Sequence, residues 1–186
     1  MLDSTGAYAG SGQTGKVFFL AGRTTSGSVV RNITIPTDTP LFFPLVNYFW
    51  VNTPEYGDPI WSPTQEADVR SGIAGFIDTT NNLSLKIDGH SVSNLYDFRI
   101  KSTAAKCNIP PSAIDNVFDT DLLNNPYDCV ADGYWVLLRP LSAGLHKIHF
   151  TSGYSMSPGF SLDVTYNITV KKDDNKEVKM LLHPRD

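Results

Sequence analysis

The chain has 186 residues, 18% of them charged, with 14 glycines, 12 prolines and a formal net charge of −4. Its length suits a single β-domain, and fifty Leu, Ile, Val and Phe residues are enough for a core, which excludes disorder. The acidic balance excludes a general electrostatic nucleic-acid binder, and no apolar run approaches the ~18 residues of a membrane-spanning helix.

Residues 1–15 are small and polar, without the apolar stretch of a signal peptide, and read as a flexible mature N-terminus or linker preceded by a start Met. Within them Gly10-Ser11-Gly12-Gln13-Thr14-Gly15-Lys16 has the spacing of a phosphate-binding loop. Val17 stands where that loop needs Ser or Thr, and a strand follows instead of a helix, so nucleotide binding is not expected.

Lys16–Ala21 is a continuous apolar run and predicts a strand buried on both faces. Val29–Ile35 alternates weakly and stops at Pro36, while Pro44 within the Phe-rich Leu41–Asn47 marks a sheet edge or a bulge. Ser62 as cap, Pro63 at the first helical position and Gln65 as the capping-box partner predict one short helix around 63–78. Its apolar side is Val69, Ile73 and Ile77, and Gly72 and Gly75 each weaken it by about 1 kcal/mol.

Leu83, Leu85 and Ile87, the Asp88-Gly89 turn, and the Tyr96, Phe98, Ile100 alternation predict a hairpin over 83–101. Residues 102–129 read as a long ordered excursion, followed by strands at Tyr134–Arg139 and Leu145–Thr151. In the last strand Phe160, Leu162, Val164, Tyr166, Ile168 and Val170 form one face, and Ser161, Asp163, Thr165, Asn167 and Thr169 the other. The run 172–186 is a charged, solvated tail. The sum is an all-β fold: an antiparallel β-sandwich of jelly-roll or immunoglobulin-like type over 16–171, with a barrel as second choice.

Cys107 and Cys129 lie in polar surroundings, unlike inert core thiols, and are expected to bridge. That closes a long loop and stabilises by roughly 3 kcal/mol on the chain-entropy view.

Six motifs stand in order: Val17-Phe18-Phe19-Leu20-Ala21-Gly22, Arg31 to Pro36, Leu41-Phe42-Phe43-Pro44, Ile87-Asp88-Gly89, Asp132-Gly133-Tyr134-Trp135 and Gly144-Leu145-His146. Over about residues 16–171 the chain resembles a family of uncharacterised secreted bacterial and archaeal β-proteins with the motif order VFFLAG…LFFP…DGYW. The resemblance implies export and a compact β-fold, and it carries over no functional residues.

No catalytic residue, cofactor or metal is expected. Gly153-Tyr154-Ser155-Met156-Ser157 lacks the closing Gly of a nucleophile elbow. His146 and His149 differ by an odd number on one strand and point to opposite faces. Glu55, Asp58, Glu66 and Asp68 are the carboxylates from which a glycosidase pair could come. The sequons at Asn32, Asn82 and Asn167 are about as frequent as chance provides.

The densest aromatic segment is Tyr48-Phe49-Trp50 with Tyr56 and Trp61, stiffened by prolines and interleaved with polar groups. Trp50, Tyr56 and Trp61 with Asn47, Asn52 and Asp58 are therefore the expected ligand-binding set. The function expected is a secreted or cell-surface, non-catalytic β-sandwich that binds a polysaccharide or a cell-surface protein. The alternatives are an extracellular hydrolase acting on glycosides through those carboxylates, or a structural subunit joined through edge strands.

Overall fold

The computed structural model describes residues 9–109 and 126–172. The excursion over 110–125, the first eight residues and the tail from 173 onward lie outside them. Two five-stranded sheets face each other, built from β1 (Phe18–Phe19), β2 (Gly27–Pro36), β3 (Leu41–Val51), helix α1 (Pro63–Ile77), β4 (Thr80–Ile87), β5 (His90–Ser91), β6 (Arg99–Lys101), β7 (Ala105–Cys107), β8 (Tyr127–Leu138), β9 (Gly144–Tyr154) and β10 (Ser157–Lys171). Sheet A runs β1-β3-β8-β6, with β7 also on β8; sheet B runs β2-β10-β9-β4-β5. The sandwich is open, not a barrel. It is antiparallel apart from β1 on β3 and β2 on β10, which run parallel.

The long alternation at the C-terminal end becomes β10. Leu162, Val164, Tyr166, Ile168 and Val170 are buried between the sheets, and Phe160, at the end of the row, is half-buried. Polar-out alternation along β2 does the same for Val29, Ile33 and Ile35. Arg31 shares their inward side; its guanidinium lies over the Tyr166 ring and donates to the Ala21 carbonyl at 2.7 Å.

Two sequence expectations need correction. The apolar run at Lys16–Ala21 is not covered on both faces: β1 has two residues, Phe18 buried and Phe19 55% exposed. Pro44 stands at a bulge between Pro44 and Val46, one of the two outcomes expected of it, and β1 pairs with β3 only at Leu41 and Phe42. Tyr96, Phe98 and Ile100 do not alternate in a strand. Asn94 takes a left-handed conformation, Leu95–Phe98 is a 3₁₀ turn, and β6 then joins sheet A instead of pairing with β4. The hairpin is thus confined to β4 and β5, closed by Asp88-Gly89 with both residues at positive φ.

The bulge has a large consequence. Before it Leu41, Phe43 and Leu45 face the core; the extra residue reverses the alternation, so that Val46, Tyr48 and Trp50 face inward after it. Tyr48 then meets Phe76 of α1 at 5.2 Å between ring centroids, and Phe76 meets Tyr154 of β9 at 6.4 Å. Through these contacts α1 closes one end of the sandwich, with Ile73 and Ile77 in the core. The cap is as expected: Ser62 Oγ accepts from the Gln65 amide at 3.2 Å.

Below the helix, Arg99 of β6 grips the buried Asp132 of β8 with two bonds, at 3.0 and 2.7 Å, and also pairs with Asp78 just after α1. Two carboxylates hold its guanidinium more firmly charged than usual. Cys107 and Cys129 form the expected disulfide, compatible with a secreted protein, and pack with Val51, Ile109 and Tyr127. Among the described residues no helix is long and apolar enough to cross a membrane.

Candidate functional site

The segment after β3 folds on its own polar groups. Asp58 Oδ2 accepts from the Thr53 amide at 2.7 Å and its hydroxyl at 3.0 Å, and Asn52 Nδ2 donates to the Pro59 carbonyl at 3.1 Å. Between them Pro54–Tyr56 makes a 3₁₀ turn that Gly57 ends at φ 102°, a conformation that favours glycine. Two hollows flank the resulting stiff loop.

The first, about 350 Å³, lies between this loop, β3 and α1. Tyr48, Trp50 and Phe76 give it aromatic walls, and Asp58, Gln65 and Asp68 give it polar ones. Gly72 of α1 also lines it, and a Cβ added there meets nothing within 4 Å. Trp50 Nε1 is buried and has no hydrogen-bond partner among the described residues. The second hollow, about 600 Å³, is lined by Asn52, Glu55, Ile60, Trp61, Tyr127 and Asp128, with the Tyr127 hydroxyl donating to Glu55.

The six residues expected to form one platform are therefore divided. Trp50 and Asp58 share the first hollow, Trp61 and Asn52 the second, and Tyr56, exposed, lines neither. Asn47 is paired across from Gly133, on the opposite side of β3 from Tyr48 and Trp50. Of the four carboxylates, Glu66 pairs with Arg70 at 2.8 Å and Glu55 belongs to the second hollow, which leaves Asp58 and Asp68 facing one space. Asp68 was expected only as a glycosidase carboxylate and Tyr48 only as part of the aromatic segment, and Gln65, Gly72 and Phe76 were not foreseen as site residues. The only signal for them was the pairing of a helix with two glycines and an aromatic strand.

His146 and His149 point to opposite faces, as their spacing requires, and each has its own carboxylate. His149 Nε2 meets Asp163 at 2.9 Å. His146 Nδ1 meets Asp88 Oδ2 at 2.7 Å, while its Nε2 lies 3.3 Å from the Ser142 hydroxyl and 3.0 Å from the Ser142 carbonyl. Asp, His and Ser in that order resemble a hydrolase triad, but a ring nitrogen facing a carbonyl must carry a proton and cannot accept one from serine. The group is a clamp: when the ring is protonated, both nitrogens donate, Nδ1 to Asp88 and Nε2 to the Ser142 carbonyl. Asp88 raises the His146 pKa above its ordinary 6.5, and His146 with the Lys147 amide lowers that of Asp88 below 3.8. The Gly153–Ser157 stretch is the β9–β10 turn and holds no nucleophile elbow.

No protein-family model matches this sequence, and no curated protein matches it. A solved structure described as PbICP-C in complex with falcipain-2 overlaps 84% of this chain and 100% of that chain, at a TM-score of 0.31 and 10% identity. An overlap of that quality carries no argument about fold, partner or activity. The family resemblance in the sequence rests on motif order alone.

Proposed function

We propose that this chain is a non-catalytic binding module, exported or held at the cell surface, whose hollow between α1 and β3 takes a neutral sugar of a surface glycan. The observation that carries this reading is Gly72. It keeps open, at a cost to the helix, a space with aromatic walls on one side and hydrogen-bonding groups on the other. A sugar ring has the same division: C–H faces that pack on Tyr48, Trp50 and Phe76, and hydroxyls that donate to Asp58 and Asp68 or pair with Gln65. Two carboxylates at the rim exclude anionic sugars by charge.

The test uses two helix variants that differ only in what they fill. Gly72→Leu and Gly75→Leu both replace a helical glycine by a better helix former, but only position 72 lines the hollow. Titrated with neutral cello-, xylo-, manno- and chito-oligosaccharides, the protein should bind at least one. Gly72→Leu should weaken that binding by more than about tenfold, with Gly75→Leu unchanged. Equal binding by both variants would contradict the site. Release of new reducing ends, abolished by Asp68→Asn, would instead favour the hydrolase.

A further inference from the structure

We propose that the hollow between α1 and β3 is also a site for a quaternary ammonium ion, which competes there with the sugar. The inference stands on the charge of the hollow and not on the sugar reading. Asp58 and Asp68 line it, and none of the other described lining residues is Lys, Arg or His. The one cation of α1, Arg70, is committed elsewhere: its Nε donates to Glu66 at 2.8 Å and its Nη1 to the Ser102 carbonyl at 2.9 Å. Asp58 engages Thr53 through Oδ2 alone.

Asp68 is a residue that the fold does not explain. It is the sixth residue of α1, beyond the first turn, where a carboxylate gains from the helix dipole. Its neighbours three and four positions away along the helix are Thr64, Gln65, Ser71 and Gly72, so no cation answers it there. It is exposed, and it makes no hydrogen bond or ion pair among the described residues. Across the hollow stand Tyr48, Trp50 and Phe76, each half-buried. An aromatic face attracts positive charge, so the rings and the carboxylates favour the same kind of ligand. Three cations differ in what they require. A hard metal ion takes about six oxygen ligands, and among the described residues no group of three His, Cys, Asp or Glu is placed to hold one. A primary ammonium carries three N–H donors that an aromatic wall leaves unsatisfied. A quaternary ammonium has no donor to satisfy; its methyl groups pack on the rings while its charge faces the carboxylates.

The experiment titrates the full chain with choline and with 3,3-dimethylbutan-1-ol, which has the same shape without the charge, by calorimetry and by the Trp50 indole resonance. Choline should bind saturably and shift Trp50 but not Trp135, and the alcohol should bind more than about tenfold more weakly. Asp68→Asn should weaken choline by about tenfold, and by a larger factor than any sugar, because the amide still accepts from a hydroxyl but carries no charge. Asp97→Asn removes the same charge at an exposed position outside the hollow and should leave choline binding unchanged. Circular dichroism checks that both variants are folded. The proposal is overturned by choline that does not bind, that binds no better than the alcohol, or that is weakened equally by the two variants. A protein that binds choline and none of the sugars loses the glycan reading and keeps this one; a protein that binds sugars and not choline does the reverse. Where both bind, choline should displace the sugar, and simultaneous saturation by the two would overturn the shared site.

Discussion

The outer faces of the two sheets are built from the same alternation and differ in what they present to water. On sheet B, the register sets Asn32 beside Asn167, Thr34 beside Thr169, and His149 between Thr165 and Lys86. These neighbours bond one another: the Asn167 amide donates to Asn32 at 2.9 Å, Ser84 and Thr151 lie 2.7 Å apart, and His149 meets Asp163. On sheet A, the corresponding positions are mostly apolar, among them Phe42, Pro44, Phe49, Trp135 and Leu137, with Asn47 polar among them, while sheet B exposes Val30 and Leu145 between its polar groups. Between these faces the core is continuous. Strand alternation thus decides which residues leave the core, while side-chain chemistry decides whether the surface they form is polar or apolar.

The contrast can be broken most sharply at Gly133. An added Cβ would stand 2.5 Å from the Val46 carbonyl oxygen and 2.7 Å from Asn47 Cα, both backbone atoms of the neighbouring strand. Gly133→Ala should therefore cost at least about 3 kcal/mol by forcing β3 and β8 apart. Urea denaturation measures it; a loss below 1 kcal/mol, by the same reckoning, would mean that the strands can part without strain.

A smaller but still large loss is expected at Asp132, under the inner side of the same strand. Asp132→Ala leaves the Arg99 guanidinium with Asp78 as its remaining carboxylate and should cost about 2–3 kcal/mol, less than a fully buried pair because Arg99 is partly exposed. Replacement of both Asp132 and Arg99 should recover part of that loss in a double-mutant cycle.

How far these features could be read from the sequence depends on the range of the interaction. The buried row from Leu162 to Val170 was legible because alternation is local, and the helix because Ser62, Pro63 and Gln65 state its start within four residues. Pro44 signalled a bulge, but Leu45 and Val46 are both apolar, so no residue told on which side Trp50 would emerge. That single parity decides why Trp50 and Trp61 line different hollows. The Phe-rich runs at 17–21 and 41–46 hid the apolar outer face, since a residue in the core and one on an exposed apolar face are the same residue types. The Asp88–His146 clamp joins positions 58 apart, and only the sheet brings them together.

On sheet B the effects are gentler. The His146–Asp88 clamp should make stability depend on pH. His146 has its pKa raised on folding, so its contribution is complete below about 6.5 and is lost as pH rises through the higher folded value. Asp88 has its pKa lowered, so its contribution is present above about 3.8 and is lost as pH falls through the lower folded value. The melting temperature should therefore benefit most between those limits. Asp88→Asn keeps a residue that tolerates the left-handed backbone, here at φ 50°, and should flatten the decline between pH 6 and 8. An unchanged decline would assign it to other groups. Smallest of all, Thr165→Ala on the outer face of β10 should alter stability by no more than about 0.5 kcal/mol, against 1–3 kcal/mol for Val164→Ala beside it.

Three tryptophans report on the three surfaces separately: Trp50 in the hollow beside α1, Trp61 in the second hollow and Trp135 on the outer face of sheet A. Their indole N–H resonances, assigned by single Trp→Phe replacements and followed during titration with neutral oligosaccharides, test the glycan site most directly. Binding in the hollow predicts a shift of the Trp50 resonance with a saturating dependence on sugar, with the Trp61 and Trp135 resonances unmoved. Three unmoved resonances across the whole sugar panel, or saturation at Trp61 or Trp135 instead, would contradict it.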